Sequence, residues 1–354
     1  MEGVAVDPSA WRGRRVLVTG HTGFKGSWLC LWLRELGAAV TGFGLDPPTE
    51  PSLYRLARVG EDVDDHQGDV RDPAAVFAAL SAARPEVVVH MAAQPLVRRS
   101  YEDPLGTYEA NVLGTANLLE AARRQAGVRV VVVVTSDKCY EPRADGRPCR
   151  EGDPLGGSDP YSSSKACAEL VTAAYRRSFG GDGPAIASAR AGNVIGGGDW
   201  AVDRLVPDFM RAALRGEPLS VRNPDAVRPW QHVLSPLCGY LALAERLWDA
   251  PEEAGAWNFG PDPRDERPVR AVADRLCELW GEGLRWSELA AGGPPETGVL
   301  RLDSAKARER LGWRPRWGLE EGLGATVEWY RAQRDGADAR EVCVRQIAAF
   351  AGGS

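Results

Sequence analysis

The chain of 354 residues is short of several features that would assign it quickly. Its seven cysteines (30, 139, 149, 167, 238, 277 and 343) are scattered, odd in number and never spaced as Cys-x-x-Cys. That argues against a disulfide framework or a zinc ribbon and for a reducing compartment, and no metal site is expected. No apolar run approaches the ~18 residues of a membrane span. Met1 to Trp11 carries two acids and no apolar stretch, unlike a secretory signal, so a cytoplasmic protein without a membrane partner is expected. The basic excess that a nucleic-acid polymer demands is missing, because 43 Lys and Arg face 49 Asp and Glu, a net −6. With 40 Gly, 25 Pro and no Gly/Ser-rich tether or internal repeat, the chain is neither collagenous nor low in complexity. What remains is a globular protein long enough for one large domain or two ordinary ones. Of its twelve tryptophans, three precede residue 199 and nine follow it.

The first part alternates regularly. Arg15 to Thr19 is a short β-branched run ending in glycine, followed by a helical pattern at Trp28, Leu29, Trp32, Leu33 and Leu36 that Gly37 closes. Strands are expected at 39–43, 87–90, 128–135 and 185–191, with helices at 72–83, 107–125 and 161–179. The nearly continuous apolar run from Val128 to Thr135 suits a parallel strand covered on both faces. This order predicts a doubly wound, Rossmann-type α/β sheet over residues 12–195. A smaller, mixed α/β lobe is expected over 196–335, interleaved with the first and packed over the sheet's C-terminal edge. Helical patterns recur there at 234–247, 269–280, 304–311 and 319–331, and 336–354 is expected as a tail.

Gly20-His-Thr-Gly23-Phe-Lys-Gly26 links the first strand to the first helix. Its glycines permit a tight turn and a close backbone approach, and a helix N-terminus there faces a pyrophosphate. Asp46, ending the second strand, stands where an acid would hold the ribose of NAD, and equally where a turn before Pro47 needs one. Tyr161-Ser-Ser-Ser-Lys165 puts a phenol and an ammonium on one helical face, where the positive charge should lower the phenol's pKa. Thr135-Ser-Asp-Lys138 leaves the apolar strand where a substrate would sit; Asp137 and Lys138 read equally as a solvated ion pair.

These motifs, with Asp46 to Leu53, Ala92 to Arg98, Asp159 to Lys165, Arg190 to Trp200 and Arg228 to Val233, span about Trp11 to Arg331. Together the chain resembles the sugar-nucleotide 4,6-dehydratases of the extended short-chain dehydrogenase/reductase superfamily, in particular those acting on CDP-glucose. The resemblance implies an NAD-dependent lyase that oxidises C4 of a CDP-hexose, loses water across C5–C6 and returns the hydride to C6. It implies Tyr161 as base at the 4-hydroxyl, Lys165 tuning it, Ser136 on the C4 oxygen and Asp137 as acid for the departing 6-hydroxyl. Lys138 becomes the base at C5, or else an electrostatic support for the enolate.

By the same carry-over, Gly20, His21, Thr22, Gly23, Phe24, Lys25 and Gly26 would hold the pyrophosphate of NAD. Asp69 and Val70 would flank adenine, and Ala92, Ala93, Gln94, Asn111 and Thr135 would lie along the cofactor. Gln94, Asn193, Arg204, Leu205, Arg222, Asn223, Arg228 and Arg301 are candidates for the nucleotide sugar, each arginine being equally a salt-bridge residue. His90 and His232 read as structural. Relatives commonly pair through two long helices, so a homodimer or dimer of dimers is expected through 107–125 and 161–179. The chain departs from the family pattern at Asp145 to Cys149 and at Pro294 to Glu296, which puts the choice of sugar and base in doubt. An epimerase or reductase on the same scaffold would need Tyr161 and Lys165 but not Asp137 or Lys138. A protein that only senses NAD would need none of the four.

Overall fold

The computed structural model describes residues 6–143, 145–181, 183–289 and 299–352. Its centre is a seven-stranded, wholly parallel sheet: β1 (Arg15–Thr19), β2 (Ala39–Gly44), β3 (Asp64–Gln67), β4 (Val87–His90), β5 (Val130–Val134), β6 (Ala185–Arg190) and β7 (Ala256–Asn258). The spatial order is β7-β6-β5-β4-β1-β2-β3. It reverses between β1 and β4, paired in register from Val16 on Val87 to Thr19 on His90. A crevice therefore opens at the carboxyl ends of these strands, where ligands of open α/β sheets bind. The fold is the expected Rossmann-type α/β arrangement.

Both faces of the sheet are covered, and β5 shows why its sequence is an unbroken valine run. Val130, Val132 and Val134 enter one apolar core with Trp28, Leu29 and Leu33 of α1 (Phe24–Glu35). Val131 and Val133 enter the other, with Val76 and Leu80 of α2 (Pro73–Ala83) and Leu118 and Leu119 of α3 (Gly114–Arg124). Successive strand side chains point to opposite faces, so a strand buried on both sides has no polar alternation to keep.

Several elements differ from the expectations, among them β7 and the helix at Leu205–Arg215, neither of which was expected. β3 has the sequence Asp-Asp-His-Gln, largely exposed, which is edge-strand chemistry without an apolar signal. The helix expected at 107–125 is broken into a turn of helix at Pro104–Tyr108, a π-helical turn at Glu109–Leu113 and α3. After α4 (Pro160–Phe179), α5 (Leu205–Arg215), α6 (Leu234–Asp249), α7 (Val269–Trp280) and α8 (Leu319–Arg334), the segment expected as a tail forms α9 (Ala339–Gly352). This last helix buries Val342, Ile347 and Phe350, the Phe350 ring meeting Trp32 edge-on at 5.7 Å. The chain re-enters the central sheet at β7, so the sheet draws on residues from both sides of position 195. Among the described residues no helix is long and apolar enough to cross a membrane.

Candidate active site

The first wall of the crevice is the turn from β1 into α1. Gly20 has φ +73°, and a Cβ there would lie 2.7 Å from the backbone nitrogen of Ala92. At Gly26 a Cβ would meet the Gly20 carbonyl oxygen at 2.2 Å, so only glycine lets the helix start this close to the strand. Gly23 occupies the N-cap and brings no side-chain acceptor, leaving the first N–H groups of α1 to a ligand or water. These features fit a dinucleotide diphosphate.

The side chains of the turn go separate ways. Thr22 donates to the Leu45 carbonyl (2.8 Å). His21 is buried away from the crevice, its Nε2 2.8 Å from Asp65 and its ring where a Cβ on Gly42 would fall. The Phe24 ring approaches Gly196. The Lys25 ammonium faces the Tyr240 ring at 6.0 Å. Burial, with Arg204 and Lys165 nearby, brings the pKa of Lys25 down to about 8 against the pull of Asp137 and Asp199.

Farther along the sheet edge, Asp46 accepts from Gln67 (2.9 Å) and Asp69 pairs with Arg71 (2.6 Å), while Val70 packs against Gly114. Thr19 gathers His90 and the backbone N–H groups of Met91 and Ala92, fixing the chain just before Ala93. His90 and His232 are wholly buried, and burial drives both pKa values down to about 3. Asn111, in the π turn, accepts from the Gln94 backbone (2.8 Å) and donates to the Gln94 carbonyl and to Ser164 (2.8 Å). It thus ties the β4 loop to α4. A π turn commonly marks a functional position.

The second wall carries the reactive groups. Asp159 caps α4 by accepting from the Ser162 N–H and hydroxyl, with Pro160 in the first helical turn. Tyr161 is consequently held in the first turn, its N–H on Ser100 (3.1 Å). One turn on, Lys165 reaches the Val134 carbonyl at 3.5 Å. Burial lowers the pKa of Lys165 to about 8, opposed by Glu169 and Cys139. The expected lowering at Tyr161 is overturned in the chain alone. Burial drives it up to about 12, and the Ser136 hydrogen bond and the Arg204 charge reduce that only in part.

Between these walls lies the turn after β5. The Ser136 hydroxyl donates to Asp137 (2.9 Å) and accepts from the Lys138 N–H (3.2 Å), winding Asp137–Cys139 into one 3-10 turn. Asp137 is 4% exposed, and its second carboxylate oxygen is buried with no hydrogen-bond partner, aimed at Gly192, where a Cβ would stand 1.9 Å away. An unpaired buried carboxylate oxygen is costly and calls for a function or a bound group. Thr135 instead turns its hydroxyl to Glu169 (2.5 Å).

A cleft runs outward from Asp137 and Lys138 along Arg143, Arg147 and Arg301. Sequence reasoning missed Arg143, which sits in an irregular loop without a periodic signal, and flagged Arg147 only as part of the departing segment 145–149. Arg301 pairs with Glu266 (2.9 Å), Arg204 with Asp199 (3.0 Å) and Arg222 with Asp203 (2.9 Å). Arg204 also occupies the N-cap position of α5, next to Leu205, without a side-chain capping bond. Asn193 and Asn223 hold left-handed backbones at φ 36° and 46°, and the Arg228 guanidinium is buried on the Val227 carbonyl. Cys149, in the first departing segment, lies on the cleft, whereas Pro294 to Glu296 falls outside the described residues.

One available signal was the chain's scarcity of lysine. Only Lys25, Lys138, Lys165 and Lys306 occur among 43 basic residues, and the first three converge here. Arginine serves where a permanent charge suffices, whereas only lysine can shift its pKa and give up a proton near neutrality.

The chain is 47% identical to the CDP-glucose 4,6-dehydratase of Salmonella typhimurium over 98% of each. It is 32% identical to a dTDP-glucose 4,6-dehydratase of Streptomyces antibioticus, over 90% of this chain and 93% of the relative. Among solved structures, the dTDP-glucose 4,6-dehydratase DesIV of Streptomyces venezuelae, with NAD and TYD bound, superposes with a TM-score of 0.76. It shares 29% identity over 92% of this chain and 99% of that one. The Thermus thermophilus UDP-glucose 4-epimerase complexed with NAD gives 0.76 at 30% identity, over 90% and 99%. Residues 16–258 match one family model, and with the glycine turn, the Tyr161–Lys165 helix and the switch-point crevice in place, the chain belongs to the NAD dependent epimerase/dehydratase family.

Proposed function

We propose that the protein is an NAD-dependent hydro-lyase that converts CDP-glucose to CDP-4-keto-6-deoxyglucose. The observation that carries this reading over an epimerase is Asp137, a buried carboxylate with one oxygen unpartnered beside Tyr161. Exchange at C4 alone has no use for such an acid; departure of a 6-hydroxyl does. The 47% identity to a CDP-glucose enzyme supports the choice of base and sugar.

Loss of water from C5–C6 is difficult while the C5 hydrogen is not acidic, and a ketone at C4 makes it so. NAD, when bound, would supply the redox chemistry as acceptor and then donor of the same hydride. The chain supplies the proton transfers and the orientation. Tyr161 accepts the 4-hydroxyl proton, which requires that positive charge overcome the rise to about 12 that burial imposes. Arg204 already supplies part of that charge, and Lys165, one turn along the helix, is assigned the rest. Ser136 holds the C4 oxygen, Asp137 protonates the leaving 6-hydroxyl and Lys138 removes the C5 proton. Gly20 to Gly26 would cradle the diphosphate of NAD with backbone N–H groups, Asp46 would hold its ribose, and Asp69, Val70, Ala92, Ala93, Gln94 and Asn111 would line its path. The diphosphate of the sugar nucleotide goes to the arginines at 204, 222, 228 and 301, whose forks bond two oxygens at once.

Residues 12–195 act as the cofactor-binding part and 196–335 as the substrate lobe. The protein is cytoplasmic, in keeping with seven free thiols. It pairs as a homodimer through the surface carrying Leu105, Leu113, Leu170 and Phe179, which are 75%, 57%, 58% and 43% exposed. Leu170→Lys should then shift the sedimentation of the native protein toward a monomer, and an unchanged profile would remove that face from consideration.

Incubation with CDP-glucose and a trace of NAD, followed by mass spectrometry, tests the activity. Loss of one water without net NADH is the expected result. A mass-neutral conversion would mean an epimerase, and no turnover of any nucleotide hexose would mean a binding protein.

A further inference from the structure

Behind the reactive face of α4 lies an ionic network that none of the chemistry above uses. Glu169 stands one turn beyond Lys165 on the same helix and is 3% exposed. One of its carboxylate oxygens accepts from the Thr135 hydroxyl (2.5 Å). The other accepts from Ser188 (2.6 Å) and from the Arg190 guanidinium (2.7 Å). Arg190, 2% exposed, donates with its other terminal nitrogen to the Tyr140 hydroxyl (2.7 Å) and the Glu151 carbonyl (3.1 Å), and Tyr140 donates in turn to Asn258 (2.7 Å). Lys165 and Glu169 thus anchor to consecutive residues at the end of β5, Val134 and Thr135. Through Arg190 and Tyr140 the same network holds the segment that follows the Asp137–Cys139 turn.

A buried ion pair is a poor source of stability, since desolvation offsets most of its attraction. We propose that Glu169, braced by Arg190, is a positioning residue that keeps Lys165 charged and locks the α4 lysine to the end of β5. Burial alone would raise the Glu169 pKa, but Arg190, Ser188 and Thr135 hold it below the usual range, so a full negative charge stands one helical turn from an ammonium that burial is discharging and acts on it through space rather than by direct contact. The other groups facing Lys165 cannot replace it. Cys139 is a neutral thiol whose pKa burial raises well above its ordinary value, His90 is neutral, and Lys25 adds positive charge. Loss of the Glu169 charge would leave Lys165 neutral at working pH and Tyr161 with Arg204 as its remaining cation. This role rests on the dehydratase reading only for its consequence, not for its test.

Four lysines make a direct measurement simple. In full-length protein labelled with 13C at lysine Cε, the Lys165 resonance is identified by its loss in Lys165→Met. Its titration midpoint is then followed without substrate or cofactor. From about 8 in the parent, it should fall to about 7 or lower in Glu169→Gln, roughly a tenfold loss of proton affinity. Glu169→Asp, which keeps the charge, should stay near the parent value. Because Glu169→Gln leaves Arg190 buried and unpaired, Glu169→Gln/Arg190→Met is made alongside it. The double variant should recover folding while the midpoint stays low. A midpoint that remains at or returns to the parent value in the folded double variant would overturn the proposal. With CDP-glucose, the alkaline limb of kcat should move to lower pH together with the midpoint. Absence of turnover in the parent would sink the dehydratase reading and leave the lysine titration standing.

Discussion

At the scale of single residues, the proposed site draws on three lysines, one tyrosine and one carboxylate, and the roles proposed for them separate by step. If Asp137 donates the proton to the leaving hydroxyl, Asp137→Asn should leave C4 oxidation nearly intact and slow water loss by roughly 100-fold or more. Reduced cofactor would then accumulate on the enzyme during turnover, and nicotinamide fluorescence would report it. Equal slowing of both steps would remove Asp137 from the acid role. Lys138→Met should likewise slow water loss more than oxidation and suppress solvent deuterium entry at C5 of the product; unimpaired entry would leave Lys138 an electrostatic role only. Periodicity located Tyr161 and Lys165 on one helix and Asp137 just past a strand end, as the structure has them, while the roles proposed for them came from the family resemblance. The state of Tyr161 was not legible. Spacing puts a cation near the phenol, but burial decides the balance, and burial belongs to the assembled fold.

At the scale of elements, glycine positions and turn chemistry do the placing. A methyl group at Gly26 would enter the Gly20 carbonyl at 2.2 Å and push α1 away from β1. Gly26→Ala should cost about 1–3 kcal/mol of stability by overpacking. It should weaken NAD binding in calorimetry more than Ala10→Gly, a change remote from the turn, and equal binding in the two variants would exclude the turn as the cofactor's cradle. Tyr140 tests the next element: Tyr140→Phe removes the hydroxyl shared by Arg190 and Asn258. About 1.5–3 kcal/mol is expected from losing an acceptor to a buried charge, read as a lower urea midpoint. A midpoint unchanged within error would mean that the hydroxyl contributes nothing. Strands β1, β2, β4, β5 and β6 could be read from apolar runs because a parallel sheet buries both faces. β3 could not, since Asp-Asp-His-Gln at an edge carries no apolar pattern and is drawn into the sheet by pairing with β2. The π turn at Glu109–Leu113 also escaped, because its sequence continues a helical pattern and only the bond from Asn111 to Ser164 reveals its use.

At the scale of the whole molecule, the helices of the lobe after β6 were legible at 234–247, 269–280 and 319–331, but aromatic contacts rather than a repeating pattern join them, which accounts for its tryptophans. Trp313 meets Phe259 edge-on at 5.1 Å, Trp200 meets Tyr330 at 5.1 Å, and Trp28 reaches across to His232 at 6.1 Å. His232 and His90 therefore sit inside the two halves of the protein as neutral rings, each with its pKa brought down to about 3 by burial. The sign of the consequence follows from linkage. Between about 3 and the unfolded value near 6.5, the unfolded chain binds a proton at each histidine and the folded chain does not, so acid favours unfolding. The contribution of the two histidines to stability should be level above about pH 7 and fall below it, by up to about 1.4 kcal/mol per pH unit for each. The urea midpoint of the native protein should accordingly drop steadily between pH 6.5 and 4.5. Replacing His232 by Gln should lower stability at pH 7 while flattening that slope. A midpoint unchanged down to pH 4.5, or a slope untouched by the replacement, would mean that water reaches these rings and that the packing around Trp28 and Trp317 is looser than the ring contacts describe.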